Sequence, residues 1–566
     1  MTTPDGVADL AAPLDALLID AALGPARRFA PDLSTAKFAA GIARHPRATA
    51  RRLRALGTEA THIAAGTSTI AAAKRDRRFS DPAWTGNPLL RRLMQAYLAG
   101  GRTAGELVTV AGLGWRDEQR MRFLVENVVE AASPSNVPLV NPASAKAAID
   151  SAGLSLLRGG GRLVRDLVAS PRVPEMVDRS AFEVGRDIAV TPGKVVLRCE
   201  VFELIQYAPQ TTQVYQVPIM IVPPTINKFY AIDLAPERSL VEYSVRQGRQ
   251  VFVLSWRNPD ARHAAWNFDT YVQAILDALD AVERISGSER TVLGGICSGG
   301  ILAAIAAAYL AGTGRQDRLA ALCLAVTVID NERAGTASAL GSRRLAAAAK
   351  AVSKRQGYLD GRALAEVFAW MRPGDLVWNY WVNNYLLGQD PPVFDILSWN
   401  ADGTNLPAAL HMQFLDCFQH NALCRPSRLS VLRTPVDLSR ITVPTYVAGA
   451  VNDHLTPWRG TYRTTQLLSG PSEFILSNAG HIQALVNPPG NPKASYFSGP
   501  TPGPDPDEWL RAATKTSGTW WTHWTDWLLQ RSGEERTAPT ALGNSDHPPL
   551  EDAPGLYVRD RLPAGR

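Results

Sequence analysis

The sequence predicts an α/β protein in which a mostly parallel β-sheet carries an inserted cap and follows a mainly helical N-terminal domain. Three observations predict this class. Apolar residues first repeat at helical spacing, and after about residue 195 short β-rich runs alternate with helical runs. Such alternation favours parallel strands, because each return to the sheet requires a crossover. A long later interval without strand rhythm predicts the cap.

The helical domain is predicted for residues 1–195. Leucine, methionine and tyrosine side chains within residues 90–98 lie at helical spacing, as do the apolar side chains of residues 123–129. Thr191-Pro-Gly193 then marks a boundary, since proline and glycine interrupt regular structure. A second domain is expected over residues 196–566.

The second domain contains the predicted sheet. We expect strands at residues 217–222, 251–255, 292–296, 322–328, 446–448 and 474–477. The interval from about residue 330 to 440 is rich in Trp, Tyr and Asn and is too long for an ordinary connection, so we interpret it as the cap. After about Arg531 the chain becomes polar and proline-rich, which predicts an irregular tail packed on the domain.

Composition narrows the classes of function. The 566 residues are 46% hydrophobic and 20% charged, as in ordinary soluble globular proteins. A net charge of +6 arises from 59 basic and 53 acidic residues, so we expect no nucleic-acid partner. Met1 to Leu18 contains aspartates and lacks a basic segment before an apolar core, which predicts no secretory signal. The longest apolar runs are too short for a transmembrane segment.

The cysteines point to a reducing compartment. Five of them are scattered along the chain, an odd number with no pair at zinc-site spacing. This pattern predicts neither a disulfide framework nor a metal site. We therefore expect a cytoplasmic protein in which a single reactive thiol can persist.

One cysteine lies in a motif typical of a catalytic nucleophile. A β-rich run enters Gly295-Ile-Cys297-Ser-Gly299, and an Ala-rich helical run leaves it. Strand, Gly-x-Cys-x-Gly and helix form a nucleophile elbow, with Cys where Ser is commoner. The helix N-terminus would stabilise a thiolate at Cys297, and the Ser298 amide would donate to an oxyanion. A small core residue is the competing interpretation of a cysteine, and it suits Cys323, inside an apolar strand.

An elbow nucleophile requires an acid and a histidine later in the chain. Asp453 follows the strand predicted at residues 446–448, and His481 follows the one predicted at residues 474–477. Cys297, Asp453 and His481 thus occur in the required order, each just after a strand. His454 competes as the histidine, but adjacent loop side chains diverge, so we expect it to support the site. Asp402 competes as the acid, but it lies in the predicted cap.

A second oxyanion donor is expected from the loop that follows the strand ending at Val222. Elbow enzymes take this donor from the loop after an earlier strand of the sheet. The amide near Ile226 occupies that position.

At this point the chain resembles a known family, the polyhydroxyalkanoate synthases. The resemblance covers roughly residues 70–560, and its motifs are long and specific. The motifs are Gly295-Ile-Cys297-Ser-Gly-Gly300, Val451-Asn-Asp453-His454-Leu-Thr-Pro457-Trp458, Gly480-His481-Ile-Gln-Ala-Leu-Val-Asn-Pro-Pro489, Pro223-Pro-Thr-Ile-Asn-Lys228, and residues 76–84, 133–136, 255–259, 372–385 and 399–407. The C-terminal third looks most like the class II enzymes, which use medium-chain-length substrates.

The resemblance implies an α/β-hydrolase fold with a cap and an acyltransferase that polymerises (R)-3-hydroxyacyl groups from coenzyme A thioesters. It implies that the coenzyme A thioester is a substrate and that no bound cofactor is required. It further implies a cytoplasmic homodimer on the surface of polyester granules, in contact with the growing chain and with granule-associated proteins. The family's catalytic residues correspond to Cys297, Asp453 and His481.

Other functions compete with this one. A synthase for short-chain substrates would share every motif. A depolymerase or thioesterase of the same fold is disfavoured by Cys at the elbow and by the cap motifs. Apolar side chains at residues 378–387 suit a long acyl pocket and equally suit the cap's own core. A non-enzymatic granule scaffold would use the tryptophans of residues 520–527 as an anchor, but a helix that docks them into the core is favoured.

Overall fold

The computed structural model describes residues 14–74, 76–169, 171–330 and 340–560. The acidic stretch that argues against a secretory signal begins outside these residues. Part of the start of the predicted cap also lies outside them. The described chain forms two compact units. The helical unit comprises residues 23–178 and 362–394, and the sheet unit comprises residues 14–22, 179–361 and 395–560 apart from the gap.

Helices dominate the first part of the chain and recur between the strands. Their bounds are α1 Leu14–Leu23, α2 Pro25–Phe29, α3 Leu33–Arg44, α4 Pro46–Ala65, α5 Ala83–Gly86, α6 Pro88–Val110, α7 Trp115–Ala131, α8 Pro142–Asp150, α9 Leu154–Val168, α10 Leu240–Arg246, α11 Phe268–Ser286, α12 Ser298–Gly312, α13 Leu340–Gln356, α14 Gly361–Met371, α15 Asp395–Ala401, α16 Ala408–His420, α17 Trp458–Arg463, α18 Pro506–Ala512 and α19 Trp520–Leu529.

The strands lie in the second part of the chain. Their bounds are β1 Gly193–Arg198, β2 Phe202–Tyr207, β3 Gln213–Tyr215, β4 Ile219–Val222, β5 Val251–Trp256, β6 Thr291–Ile296, β7 Leu319–Ala325, β8 Tyr358–Leu359, β9 Leu406–Pro407, β10 Ser430–Val431, β11 Thr434–Pro435, β12 Thr445–Ala450, β13 Ser472–Ser477, β14 Ser495–Ser498, β15 Thr514–Ser517 and β16 Glu535–Thr537.

The helical unit is built around α6, which contains the predicted run at residues 90–98. Asn87 begins this helix by accepting hydrogen bonds from the N–H groups of Leu89 and Leu90. One face of α6 is buried, and Met94 packs in a small apolar core with Phe79 and the fully buried Trp84. A helix buried on one face gains most of its stability from such packing.

Part of the predicted cap belongs to the helical unit. The guanidinium of Arg28 is buried and forms a 2.9 Å ion pair with Glu366 of α14. The indole N–H of Trp381 donates to the carbonyl oxygen of Asn136 at 3.1 Å. These contacts explain why residues 362–394 pack with helices that precede them by more than two hundred positions in the chain. The domain limits at residue 195 and the cap limits near residues 330 and 440 stay predictions.

The sheet unit has an α/β-hydrolase architecture. Its large sheet has the order β1-β2-β5-β4-β6-β7-β12-β13-β14-β15. The six central strands, from β5 to β13, run parallel, and antiparallel strands flank them on both sides. All six predicted strands are confirmed, as β4, β5, β6, β7, β12 and β13. Strand β7 ends at Ala325 rather than at residue 328, because Val326 turns the chain with φ of +44°.

The tryptophans near the C-terminus belong to the core of the sheet unit. Trp520, Trp521 and Trp524 of α19 are each at most 5% exposed. The indole N–H of Trp520 donates to Ala484 O at 2.9 Å, and that of Trp524 donates to Cys323 Sγ at 3.4 Å. The structure therefore agrees with a helix that docks into the core and leaves these three side chains unavailable as a surface anchor.

Candidate active site

The predicted elbow lies between β6 and α12, at the centre of the sheet. Cys297 joins the two elements with φ of +51° and ψ of −121°, a backbone conformation that residues other than glycine seldom adopt. A Cβ atom on Gly299 would collide with the carbonyl oxygens of Val222 and Pro223, and one on Gly295 would lie 2.6 Å from Gly300 Cα. Close packing of α12 on its neighbours therefore requires glycine on both sides of the cysteine.

Asp453 and His481 reach the same edge of the sheet. Asp453 follows β12 and His481 follows β13, and these strands run parallel to β6. Nδ1 of His481 lies 2.7 Å from Oδ2 of Asp453, with both side chains buried. Cys297 lies near enough to His481 for its sulfur to raise the pKa of the imidazole. The structure thus brings the three sequence-predicted residues together in the arrangement that a nucleophile, base and acid require.

The surroundings of His481 favour its charged form. Burial opposes the imidazolium, but the Asp453 carboxylate and then the Cys297 sulfur outweigh burial and raise the pKa of His481 to about 10. Burial also opposes ionisation of Asp453, yet the charge and hydrogen bond of His481 and the hydrogen bonds from Thr456 lower its pKa below the ordinary value. At neutral pH the site therefore holds an ionised Asp453 and a protonated His481 beside the sulfur of Cys297.

The carboxylate of Asp453 is oriented by four hydrogen bonds. Oδ1 accepts from the N–H groups of Leu455 and Thr456, each at 2.8 Å. Oδ2 accepts from the hydroxyl of Thr456 at 2.6 Å and from His481. Because both oxygens are engaged, the carboxylate is held in the orientation that bonds it to His481. His454 is partly exposed, and its supporting role stays a prediction.

Thr456 is a site residue that sequence reasoning missed. Its side chain is buried, and its hydroxyl lies 2.6 Å from Asp453 Oδ2 and 3.2 Å from His481 Nδ1. A signal was present, since a threonine three residues after an aspartate can close a local side-chain turn. That signal predicts a turn, and only the folded arrangement adds the contact with His481.

The competing candidates lie in other settings. Asp402 follows α15 and accepts a hydrogen bond from the Tyr230 hydroxyl at 2.9 Å. Cys323 and Cys417 are buried, and burial raises the pKa of each thiol to about 12. Among the residues that the structure describes, no three His, Cys, Asp or Glu side chains are clustered so as to hold a metal ion.

The two predicted oxyanion donors are the amides of Ser298 and Ile226. Ser298 is the first residue of α12, where helix geometry leaves the N–H without an intrahelical acceptor. In the loop after β4, Pro223 and Pro224 have no N–H, and the N–H of Thr225 donates to Ser298 Oγ at 3.0 Å. The amide of Ile226 is the next along the chain, and its role stays a prediction.

The fold places the chain in a class, the proteins of the α/β-hydrolase fold. In agreement, residues 218–488 match the family model described as alpha/beta hydrolase fold. Residues 75–244 match the model described as Poly-beta-hydroxybutyrate polymerase (PhaC) N-terminus.

Similar proteins identify the family. The chain is 44% identical to poly(3-hydroxyalkanoate) polymerase 1 of Ectopseudomonas oleovorans over 518 aligned residues. The alignment covers 92% of each chain. It is 39% identical to the poly(3-hydroxyalkanoate) polymerase subunit PhaC of Cupriavidus necator, over 86% of this chain and 83% of the relative. The crystal structure of a Paleococcus ferrophilus monoacylglycerol lipase matches 58% of this chain and 99% of its own, with 12% identity and a TM-score of 0.31. The chain belongs to the poly(3-hydroxyalkanoate) polymerase family and is an acyltransferase.

Thiol alkylation should distinguish Cys297 from the buried cysteines. At neutral pH we expect iodoacetamide to label Cys297 first, while Cys323 and Cys417 stay unlabelled in the folded enzyme because their pKa values are about 12. Peptide mass spectrometry after timed labelling measures this order. The matched variant His481→Gln should slow labelling of Cys297, and its difference from the wild type should shrink as pH rises towards 10, where His481 loses its proton. Prior labelling of Cys323 would contradict the assignment.

Removal of the Thr456 hydroxyl should impair the acid–base pair. A hydrogen bond to a charged group contributes about 1.5–3 kcal/mol, so Thr456→Val should lower the turnover number roughly 10- to 100-fold. Since this bond helps to lower the pKa of Asp453, its removal should raise that pKa. As the pH falls, the variant should therefore lose activity at a higher pH than the wild type does. Thr456→Ser retains the hydroxyl and serves as the control. Equal pH profiles for Thr456→Val and Thr456→Ser would contradict the role of Thr456.

Proposed function

We propose that this enzyme polymerises (R)-3-hydroxyacyl groups, delivered as coenzyme A thioesters, into a polyester held on Cys297. The observation that carries the proposal is the hydrogen-bonded pair His481 and Asp453 beside Cys297 at the elbow of an acyltransferase. Membership of the poly(3-hydroxyalkanoate) polymerase family supports the choice of substrate and product.

The first step is acylation of the enzyme. His481 holds the proton taken from Cys297 as an imidazolium, and the thiolate attacks the carbonyl carbon of the thioester. The bond from that carbon to the sulfur of coenzyme A then breaks, whereas the new bond to the sulfur of Cys297 remains. His481 gives its proton to the departing coenzyme A thiolate. The amides of Ser298 and Ile226 stabilise the oxyanion formed between these events.

The second step is formation of an ester bond. The 3-hydroxyl of one acyl group attacks the carbonyl carbon of a thioester, and a base removes the hydroxyl proton. The carbon–sulfur bond of that thioester breaks, and the base passes the proton to the departing thiolate. His481 suits this role better than Asp453, because both carboxylate oxygens of Asp453 already accept hydrogen bonds and its pKa is lowered. With Nδ1 bonded to Asp453, Nε2 of His481 is the nitrogen that serves as base.

A cysteine suits this chemistry better than a serine. Exchange of one thioester for another is nearly isoenergetic, so the acyl group on Cys297 keeps its activation. The later formation of an oxygen ester then proceeds downhill. An acyl-serine would lose that activation before the chain was extended.

We further propose that the enzyme works in the cytoplasm as a homodimer on the surface of polyester granules, alongside granule-associated proteins. The family resemblance supports this setting. Exposed apolar side chains on α9, among them Leu157, Val164 and Val168, would suit an apolar granule surface. Of the helices within the described part of the chain, none combines the length and apolarity needed to cross a bilayer.

A preference for medium-chain substrates is supported by the resemblance of the C-terminal third to class II enzymes. The apolar side chains at residues 378–387 add less support than the sequence suggests. Trp381 contacts Trp378 and Tyr385, and the Tyr385 hydroxyl donates to Asp166 at 2.6 Å within the helical unit. These side chains therefore contribute to the packing of that unit.

Purified enzyme tested with three acyl lengths measures both the reaction and its preference. With 3-hydroxyoctanoyl- or 3-hydroxydecanoyl-coenzyme A we expect coenzyme A release and polymer, with kcat/KM up to about 100-fold above that for 3-hydroxybutyryl-coenzyme A, because each buried methylene contributes about 0.8 kcal/mol. Cys297→Ala should give neither product. Coenzyme A release without polymer would indicate a hydrolase and contradict polymerisation. Preference for the four-carbon substrate would contradict the medium-chain proposal alone.

A further inference from the structure

The loop that follows β4 is held in place by side chains from three other segments. This loop, residues 223–228, is called the oxyanion loop below. The indole N–H of Trp256 donates to Pro223 O at 3.0 Å, the hydroxyl of Thr404 donates to Thr225 O at 3.1 Å, and the indole N–H of Trp399 donates to Lys228 O at 2.9 Å. Three carbonyls spread along the loop are thereby fixed, which restrains its backbone.

The hydroxyl of Ser298 holds the same loop from the side of α12. Ser298 Oγ accepts the N–H of Thr225 at 3.0 Å and lies 3.2 Å from Thr225 Oγ1. Ser298, Thr225 and Thr404 are each at most 8% exposed. Water competes poorly for hydrogen bonds in such a place, so the bonds define the loop more strictly than exposed ones would.

Ser298 therefore takes part in one network through both its backbone and its side chain. Its backbone N–H is the first donor at the N-terminus of α12, and its side chain is bonded to the residue immediately before Ile226, the second proposed donor. Two oxyanion donors stabilise a transition state only when their separation is set before the reaction. The hydroxyl of Ser298 links one donor residue, Ser298, to Thr225, the neighbour of the other donor residue, Ile226. It therefore sets that separation directly.

Thr404 extends this network into another part of the chain. It lies between α15 and β9, within the segment that the sequence assigns to the cap. The adjacent Asn405 is itself fixed, since its side-chain amide donates to Pro259 O at 2.9 Å and its N–H donates to Asn258 Oδ1 at 2.9 Å. The backbone next to Thr404 is thus held by the loop that follows β5, and from there Thr404 contacts the oxyanion loop.

We propose that Ser298 Oγ, Thr225 and Thr404 form a positioning network that sets the amide of Ile226 relative to the amide of Ser298. The inference deepens the proposed function and rests on it, because it concerns the oxyanion of acyl transfer. None of the three side chains is assigned contact with the reacting atoms. Their effect is transmitted through the backbone of the oxyanion loop.

Two reactions of Cys297 separate this role from a general role in folding. Acyl transfer develops an oxyanion, whereas alkylation by iodoacetamide displaces iodide from a saturated carbon without one. We would measure kcat and KM for coenzyme A release from 3-hydroxyoctanoyl-coenzyme A, together with the rate of Cys297 alkylation. The variants are Ser298→Ala, Thr404→Val and Thr404→Ser. Thr461→Val is the matched control, because the buried hydroxyl of Thr461 has no hydrogen-bond partner among the described residues.

Loss of one oxyanion donor typically lowers kcat by about 100- to 1,000-fold, and a displaced donor costs less. We therefore expect Ser298→Ala and Thr404→Val to lower kcat by about 10- to 100-fold while KM and the alkylation rate change by less than about threefold. Thr404→Ser, which keeps the hydroxyl, should restore most of kcat, and Thr461→Val should match the wild type.

Two results would overturn the network. One is an unchanged kcat in both Ser298→Ala and Thr404→Val. The other is a fall in alkylation that parallels the fall in kcat, since this would mean that the elbow itself was disturbed. Should Ser298→Ala fail to fold, the pair Thr404→Val and Thr404→Ser decides between the same outcomes. Wild-type enzyme that releases coenzyme A without polymer contradicts polymerisation only, because thioester hydrolysis passes through the same oxyanion and the variants still test the network.

Discussion

The close packing of α12 against the ends of β4 and β6 is the constraint on which the rest of the site depends. It excludes a side chain at Gly295 and Gly299 and holds Cys297 at φ of +51°. A residue in this region costs about 1–3 kcal/mol of strain, which the surrounding sheet and helix must offset. The same packing places the cysteine at the N-terminus of a helix, where it stays partly exposed, whereas burial raises the pKa of a thiol such as Cys323 and leaves it inert.

Parallel strands convert this local turn into a catalytic site. Because β6, β12 and β13 run in the same direction, the residues that follow them share one edge of the sheet. Burial there would neutralise an isolated aspartate or histidine. The Asp453–His481 pair, completed by Thr456, keeps both groups charged at neutral pH, and the charge on His481 is available to stabilise the thiolate of Cys297.

Features encoded by adjacent residues could be predicted from the sequence, and features made by distant segments could not. The six central strands are continuous apolar runs, and the order of Cys297, Asp453 and His481 is visible in the chain. The flanking strands were missed because their runs are short or interrupted by polar residues, as in β15. The division of the predicted cap depends on pairs such as Arg28 with Glu366, which are 338 positions apart. The hydroxyl contact of Ser298 with Thr225 likewise exists only in the folded chain.

We propose that the growing acyl chain is held on Cys297 as a thioester activated by His481. Acid quenching of the enzyme during turnover with labelled 3-hydroxyoctanoyl-coenzyme A, followed by digestion and peptide mass spectrometry, tests it most directly. We expect hydroxylamine-sensitive label on the peptide containing Cys297, strongly reduced in His481→Gln. Label on a peptide containing Cys199, Cys323, Cys417 or Cys424, with none on Cys297, would contradict it.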